Sequence, residues 1–362
     1  MTKTARMLIA VLMALAMMAA ACSDSDSGDT TTTAASGGST ETTMADDMEE
    51  DPDAVKVIRF AFAPDPVWEW LNDTGIREEM ETEANIAILD SATWNEVGVY
   101  AGGHADIISV GDFEVPIIEE EFGIPSTIFG KYNIDRSILV SSLDHPEYTT
   151  LEDCKGQTVA VWDTLSSTTI WGVLADQLYG LDFRVDGGDF ELVLVDHTNT
   201  ADQAASGATD CALVLPDFAV PILMNEEVNV LYDGASSANL YADLIESPDH
   251  EGPMINIFMA RNDWYPSHPE EVAFFMSLWE RGLQEWAANK DEIIATYPQH
   301  FAVETEAEIA WMQDYLAAND WFVESVYMTQ EWIDSESELF VMLNEAGMTE
   351  SADPPTYDIV TP

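Results

Sequence analysis

The sequence predicts an α/β protein made of two similar lobes followed by a helical region. Three observations carry this. From Val55 to Phe129 short β-branched apolar runs alternate with amphipathic stretches, the pattern of a parallel sheet with helices on its faces. From Leu151 to Tyr232 the alternation recurs. In both series the third strand is entered by a Gly-x-x-Asp step, Gly103-His104-Ala105-Asp106 and Gly207-Ala208-Thr209-Asp210. From Pro269 onward the apolar residues follow helical spacing.

The chain begins with Lys3 and Arg6, an apolar run from Met7 to Met18 too short to span a bilayer comfortably, and Ala19-Ala20-Ala21-Cys22. This predicts a signal peptide over 1–21. The Ala19–Cys22 step resembles the lipobox of bacterial lipoproteins, which implies a lipidated Cys22; ordinary secretory cleavage after Ala21 is the alternative. Residues 22–54, rich in Ser, Thr, Gly and acids, cannot build a core and are expected to form a disordered tether.

In the first lobe Val57–Phe62, Ile86–Leu89, Ala105–Val110 and Ser126–Phe129 read as strands. Helices are expected over Val67–Met80, with Gly75 a break point, Thr93–Tyr100 and Glu114–Glu121. In the second lobe the strands are Arg136–Ser141, Thr158–Trp162, Phe190–Val195, Asp210–Leu215 and Val228–Tyr232. Ser166 to Thr169 supplies N-cap residues for a helix that Gly180 stops. Met254–Ala260 is a further apolar strand. Helices follow over 270–289, 290–297, 304–319 and 329–345, expected to cover the first lobe or brace the hinge, and the tail 349–362 is expected to be loose.

With 12 Lys+Arg against 68 Asp+Glu the chain has no basic face for phosphates, so a nucleic-acid partner is excluded. A hydrophobic fraction of 47% and 11 Trp exclude disorder over most of the length. The acidic surface suits a high-salt habitat, where screening reduces self-repulsion; an ordinary acidic extracytoplasmic protein is the alternative. Cys154 and Cys211 precede apolar strands, and outside the cytoplasmic membrane two such cysteines usually pair, so a disulfide is expected in preference to two buried thiols. The six His show neither HExxH nor paired spacing, and no GxSxG elbow or Walker loop occurs, so the sequence predicts no enzyme, no metal site and no cofactor.

Three blocks carry a family resemblance. Leu151 to Val161, Gly207 to Asp217 with Phe218-Ala219, and Met254 to Asp263 followed by Ser267-His268-Pro269-Glu270-Glu271-Val272 resemble segments of bacterial ABC-transporter solute-binding proteins, most of all the branch that binds nitrate, sulfonates, taurine and thiamine precursors. The resemblance implies a type II periplasmic-binding fold, with lobe one over 55–136 and 261–348 and lobe two over 137–260. It implies hinge segments near Ser137–Ser141 and Pro253–Ala260, and neighbouring Cys154 and Cys211 strands. It also implies a monomer held at the outer face of the cell membrane by its lipid, without catalysis, delivering a small solute to an ABC permease. A sensor acting on a signalling partner is the second reading of the same fold.

Ligands of open α/β sheets sit beyond the carboxyl ends of the strands. That rule nominates Asp65 and Trp68, then Gly111, Asp112 and Phe113, then Asp163, Ser166, Ser167 and Thr168, and finally Asp217 and Phe218, with Asp196 and His197 weaker candidates. None of these turns contains Arg or Lys, and carboxylates crowd beside aromatic faces. That set suits a nitrogenous ligand, neutral or cationic, such as a thiamine-precursor-like pyrimidine. The alternative is an anion held by the Ser166–Thr169 hydroxyls and helix N–H groups.

Overall fold

The computed structural model describes residues 54–185 and 187–362. The expected signal peptide, Cys22 and the tether through Asp53 lie outside the described residues.

The strands are β1 (Lys56–Phe62), β2 (Ile86–Ala92), β3 (Ile107–Val110), β4 (Ser126–Ile134), β5 (Ile138–Ser142), β6 (Thr158–Val161), β7 (Glu191–Leu194), β8 (Cys211–Val214), β9 (Val228–Val230), β10 (Met254–Arg261) and β11 (Thr356–Tyr357). They form two sheets, ordered β11-β4-β10-β3-β1-β2 and β7-β6-β8-β5-β9. Each sheet is parallel except for one strand: β10 runs against β3 and β4, and β5 against β8 and β9. The helices are α1 (Pro66–Asp73), α2 (Ile76–Ala84), α3 (Glu96–Ala101), α4 (Val115–Phe122), α5 (Ser166–Tyr179), α6 (Thr200–Ala205), α7 (Val220–Met224), α8 (Ser237–Leu244), α9 (Pro269–Thr296), α10 (Glu306–Ala318) and α11 (Gln330–Glu345).

Local chemistry explains most boundaries. Asp65 caps α1, accepting from the N–H groups of Val67 at 2.8 Å and Trp68 at 3.1 Å, with Pro66 in the first turn. Gly75, at φ 76°, ends that helix and starts α2, so the stretch 67–80 is two helices. Strand β4 runs five residues past the expected Phe129. Its extension contains buried Lys131, paired with Glu251, and buried Asn133, polar residues that hide a strand from pattern reading. The expected pair of helices after Pro269 is one, α9, with a kink at Asn289.

Two short segments connect the lobes. Asp135-Arg136-Ser137 carries the chain from β4 to β5, and the return runs from Ile245 to Pro253 between α8 and β10. They are tied together, since the Asp135 N–H donates to the Pro253 carbonyl at 2.8 Å. Met254–Arg261 therefore lies inside the first sheet, between β3 and β4, not at the end of lobe two. Its buried residues Ile257 to Ala260 suit a central strand covered on both faces, but the sequence does not say by which sheet it is flanked.

The first lobe's core centres on Trp279 of α9, whose ring lies 5.3 Å from Trp68, 4.7 Å from Tyr132 and 5.1 Å from Phe258. The last helix, α11, serves both lobes: Trp332 and Ile333 join the first core, whereas Leu339, Phe340 and Leu343 join the second. It braces the hinge region rather than covering lobe one alone. The tail is also engaged, because Thr356 and Tyr357 pair with β4 at the sheet edge. In the second lobe Cys154 and Cys211 form a disulfide, with Cα atoms 6.4 Å apart, at the entry ends of neighbouring β6 and β8.

Candidate functional site

The carboxyl ends of the parallel strands of both sheets open onto one cleft of about 870 Å³. Lobe one contributes the Ala63–Pro66 turn after β1, Trp94 and Glu96 after β2, Glu114 after β3, and Tyr132 and Asn133 of β4. Lobe two contributes Trp162, Asp163 and Ser166 after β6, Asp196 to Thr198 after β7, and Asp217 and Phe218 after β8. Arg136 of the first crossing segment, Asn256 of β10, His300, Trp321 and Phe322 complete it.

The nominated residues divide. Asp65, Asp163, Ser166, Asp217 and Phe218 line the cleft. Trp68 points into the lobe-one core, where its indole N–H donates to Asp90 at 3.1 Å. The Gly111 N–H donates to Glu114 at 2.7 Å, so Glu114 and not Asp112 is the acid of that turn on the cleft. Asp112 is fully buried and accepts from the Phe113 N–H at 2.8 Å, while the Phe113 ring sits in the lobe-two core. The Ser167 hydroxyl donates to Asp135 at 2.9 Å, fastening α5 to the crossing segment. Thr168 is buried with its hydroxyl unpartnered.

The cleft is acidic, and burial raises four of its carboxyls. Burial pushes Asp65 and Asp163 up to about 6, against the backbone N–H groups that hold them. It pushes Glu96 up to about 7 and, with the charges of Asp163 and Glu96 adding to it, Glu114 up to about 8. Basic groups are few and stand beside acids. Arg136 donates from Nε and Nη2 to the two Asp217 oxygens at 2.9 and 2.6 Å and lies 4.8 Å over the Trp321 ring. His300 stands 3.0 Å from Glu69. No group of metal-ligating side chains placed for an ion occurs among the described residues.

At the mouth, aromatic side chains meet across the lobes. Trp94, 60% exposed, lies 5.0 Å from the His197 ring and 6.2 Å from Phe218, and His197 lies 4.7 Å from Phe218. Such contacts are worth about 0.5–1.5 kcal/mol. Trp94→Ala is therefore expected to speed release of a bound solute by roughly 2- to 10-fold with little change in melting temperature. Stopped-flow release measurements check this, and an unchanged koff would show that the contact does not hold the lobes together.

Sequence reading missed Arg136, Glu96, Glu114, Trp94, Asn133 and Asn256. Arg136 directly precedes the strand taken as the hinge, which was a usable signal. The others face the cleft only through pairings between distant strands.

No protein-family profile matches the sequence, and no curated protein matches it. Solved structures do match the fold. The alkanesulfonate-binding protein SsuA of Xanthomonas axonopodis pv. citri, bound to MOPS, is 11% identical, with a TM-score of 0.64 over 83% of this chain and 97% of that one. The periplasmic aliphatic sulphonate binding protein SsuA of Escherichia coli is 14% identical, with a TM-score of 0.63 over 85% and 95%. A Candida albicans protein with the generic periplasmic binding protein fold is 11% identical, with a TM-score of 0.59 over 84% and 98%. The chain has the periplasmic-binding-protein fold.

Proposed function

We propose that this protein is an extracytoplasmic solute-binding protein, anchored to the membrane through lipidated Cys22, that captures a small organic solute between its lobes and delivers it to an ABC permease. The observation that carries the reading is the interlobe cleft of about 870 Å³ at the carboxyl ends of both sheets, lined by convergent polar groups and aromatic walls. The proposed role involves no chemical step.

The ligand the cleft suits is nitrogenous: a thiamine-precursor-like pyrimidine or another amine. Carboxylates outnumber basic groups on its walls, and Trp94, Trp162, Trp321 and Phe218 offer ring faces to a cation or a heterocycle. One observation favours an anionic sulfonate, taurine or nitrate instead. Arg136 uses Nε and Nη2 on Asp217, and its Nη1 has no hydrogen-bond partner among the described residues. The two SsuA neighbours are sulfonate-binding by description.

Calorimetry with an aminopyrimidine and with taurine separates the two. The nitrogenous reading expects the aminopyrimidine to bind and taurine to bind weakly or not at all. Tight taurine binding with a silent aminopyrimidine would transfer the assignment to the anion.

A further inference from the structure

Three carboxylates in the cleft have no cation to answer them among the described residues. Glu96 and Glu114 belong to lobe one and Asp163 to lobe two, and all three line the same cavity. Burial raises Glu114, and the charges of Asp163, Glu96 and Asp112 add to it. The basic groups of the cleft are placed against other acids: Arg136 on Asp217, His300 beside Glu69, and His197 3.7 Å from Asp196. Glu96 Oε2 is buried with no hydrogen-bond partner among the described residues, and Glu114 accepts from the Gly111 N–H.

A second observation, independent of charge, points the same way. Asn133, only 5% exposed, lines the cleft from β4. Its Nδ2 donates to Asn256 Oδ1 at 3.2 Å, and Asn256 Nδ2 in turn donates to Ser109 Oγ at 3.0 Å. This leaves Asn133 Oδ1 buried without a donor among the described residues. A buried acceptor left unmade carries its full desolvation penalty, and a guest bearing an N–H relieves it.

We propose that Glu96, Glu114 and Asp163 form a subsite for the protonated nitrogen of an organic cation, and that filling this subsite is what lets the two lobes close. Like charges on the two sides of the cleft repel, so in the empty protein they oppose closure. A cation between them reverses the sign, because each lobe is then attracted to one shared charge. A neutral guest of the same shape leaves the repulsion in place, and an anion adds to it. The class selected is an ammonium, amidinium or protonated heterocycle with at least one N–H for Asn133, its body lying against the Trp162 ring. The subsite rests on the solute-binding role proposed above.

Pulsed-EPR distances between nitroxides on Glu83→Cys and Asp202→Cys, exposed positions on α2 and α6, report the lobe separation in the full chain. At pH 8 without solute, the otherwise wild-type protein should favour the longer distance. Glu96→Gln/Glu114→Gln, and separately Asp163→Asn from the other lobe, should shift to the shorter one unaided. Benzylammonium should shorten the distance in the otherwise wild-type protein and benzyl alcohol should not, and its affinity should fall at least 10-fold in the double variant. Neutralised variants that keep the wild-type distance, or benzyl alcohol acting as well as benzylammonium, would overturn the proposal. The two levels fail separately: variants that close while no solute acts uphold the charge gate and remove the solute role. A solute that closes the protein whatever its charge keeps the role and removes the subsite.

Discussion

Removing the disulfide with Cys154→Ala/Cys211→Ala is expected to destabilise the protein by about 4 kcal/mol. The two residues are 57 apart in sequence, and a cross-link of that span restricts the unfolded chain by an amount between those of short and very long loops. Both side chains are fully buried at the entry ends of β6 and β8, so alanine leaves no stranded polar group. The same two strands carry the Trp162–Ser166 and Asp217–Phe218 parts of the cleft at their opposite ends. The loss should therefore loosen one wall of the site as well as lower the urea midpoint. Urea unfolding of the double variant, with an unchanged m-value, checks the magnitude. A loss below about 1 kcal/mol would show that the unfolded chain is already restricted between these residues.

Stability is expected to fall as pH rises from about 4 to about 8, the reverse of ordinary acid denaturation. The cause is a set of carboxyls whose folded values burial lifts above their ordinary ranges: Asp65 and Asp163 to about 6, Glu96 and Glu336 to about 7, and Glu114 to about 8. Asp112, buried against Glu336, is raised as well. A raised carboxyl holds its proton more tightly in the folded state. Below its unfolded value both states are protonated and the group contributes nothing. Above that value the unfolded chain ionises first, and folding loses about 1.4 kcal/mol for each pH unit separating the two values. His250, lowered by burial, works in the opposite sense below its ordinary 6.5, and because it lies 2.6 Å from Glu336 the two titrate as a pair. Carboxyls lowered by hydrogen bonds or ion pairs, such as Asp153 and Asp182, act below the ordinary value of 3.8 and leave the window untouched. Urea midpoints at pH 5 and pH 8, both in high salt so that surface repulsion is screened, measure the slope. Glu114→Gln and Glu336→Gln should flatten it. Stability that rises between those pH values would contradict the assignment.

The architecture was legible because two strand–helix series repeat around a matched Gly-x-x-Asp step, and because Cys154 and Cys211 each precede an apolar run. The ownership of Met254–Arg261 was not legible. An apolar strand looks the same in either sheet, and only its pairing with Val110 and Lys131 decides. At the site, the rule of strand ends found the correct turns but could not say which residue of a turn faces the gap. Asp112 turned inward and Glu114 outward because a 3₁₀ turn at Asp112–Glu114 rotates the chain before α4 begins. Trp68 went to the core because it sits one helical turn past Asp65, on the face of α1 that meets Trp279. Arg136 was not legible because it lies outside the strand-end turns, on a crossing segment that forms a cleft wall of its own.

The central claim is that the cleft between the lobes holds a small solute, and a thermal-shift panel of amines, aminopyrimidines, sulfonates and nitrate, run at low and high salt, tests it most directly. Binding to the folded state alone raises stability by about 2.7 kcal/mol at a ligand concentration 100 times Kd. One or more nitrogenous cations are expected to raise the melting temperature in a concentration-dependent way, while sulfonates and nitrate do not, and high salt is expected to raise the baseline. A panel in which no solute shifts the transition at either salt concentration would contradict the solute-binding role, and a shift confined to sulfonates would contradict the ligand.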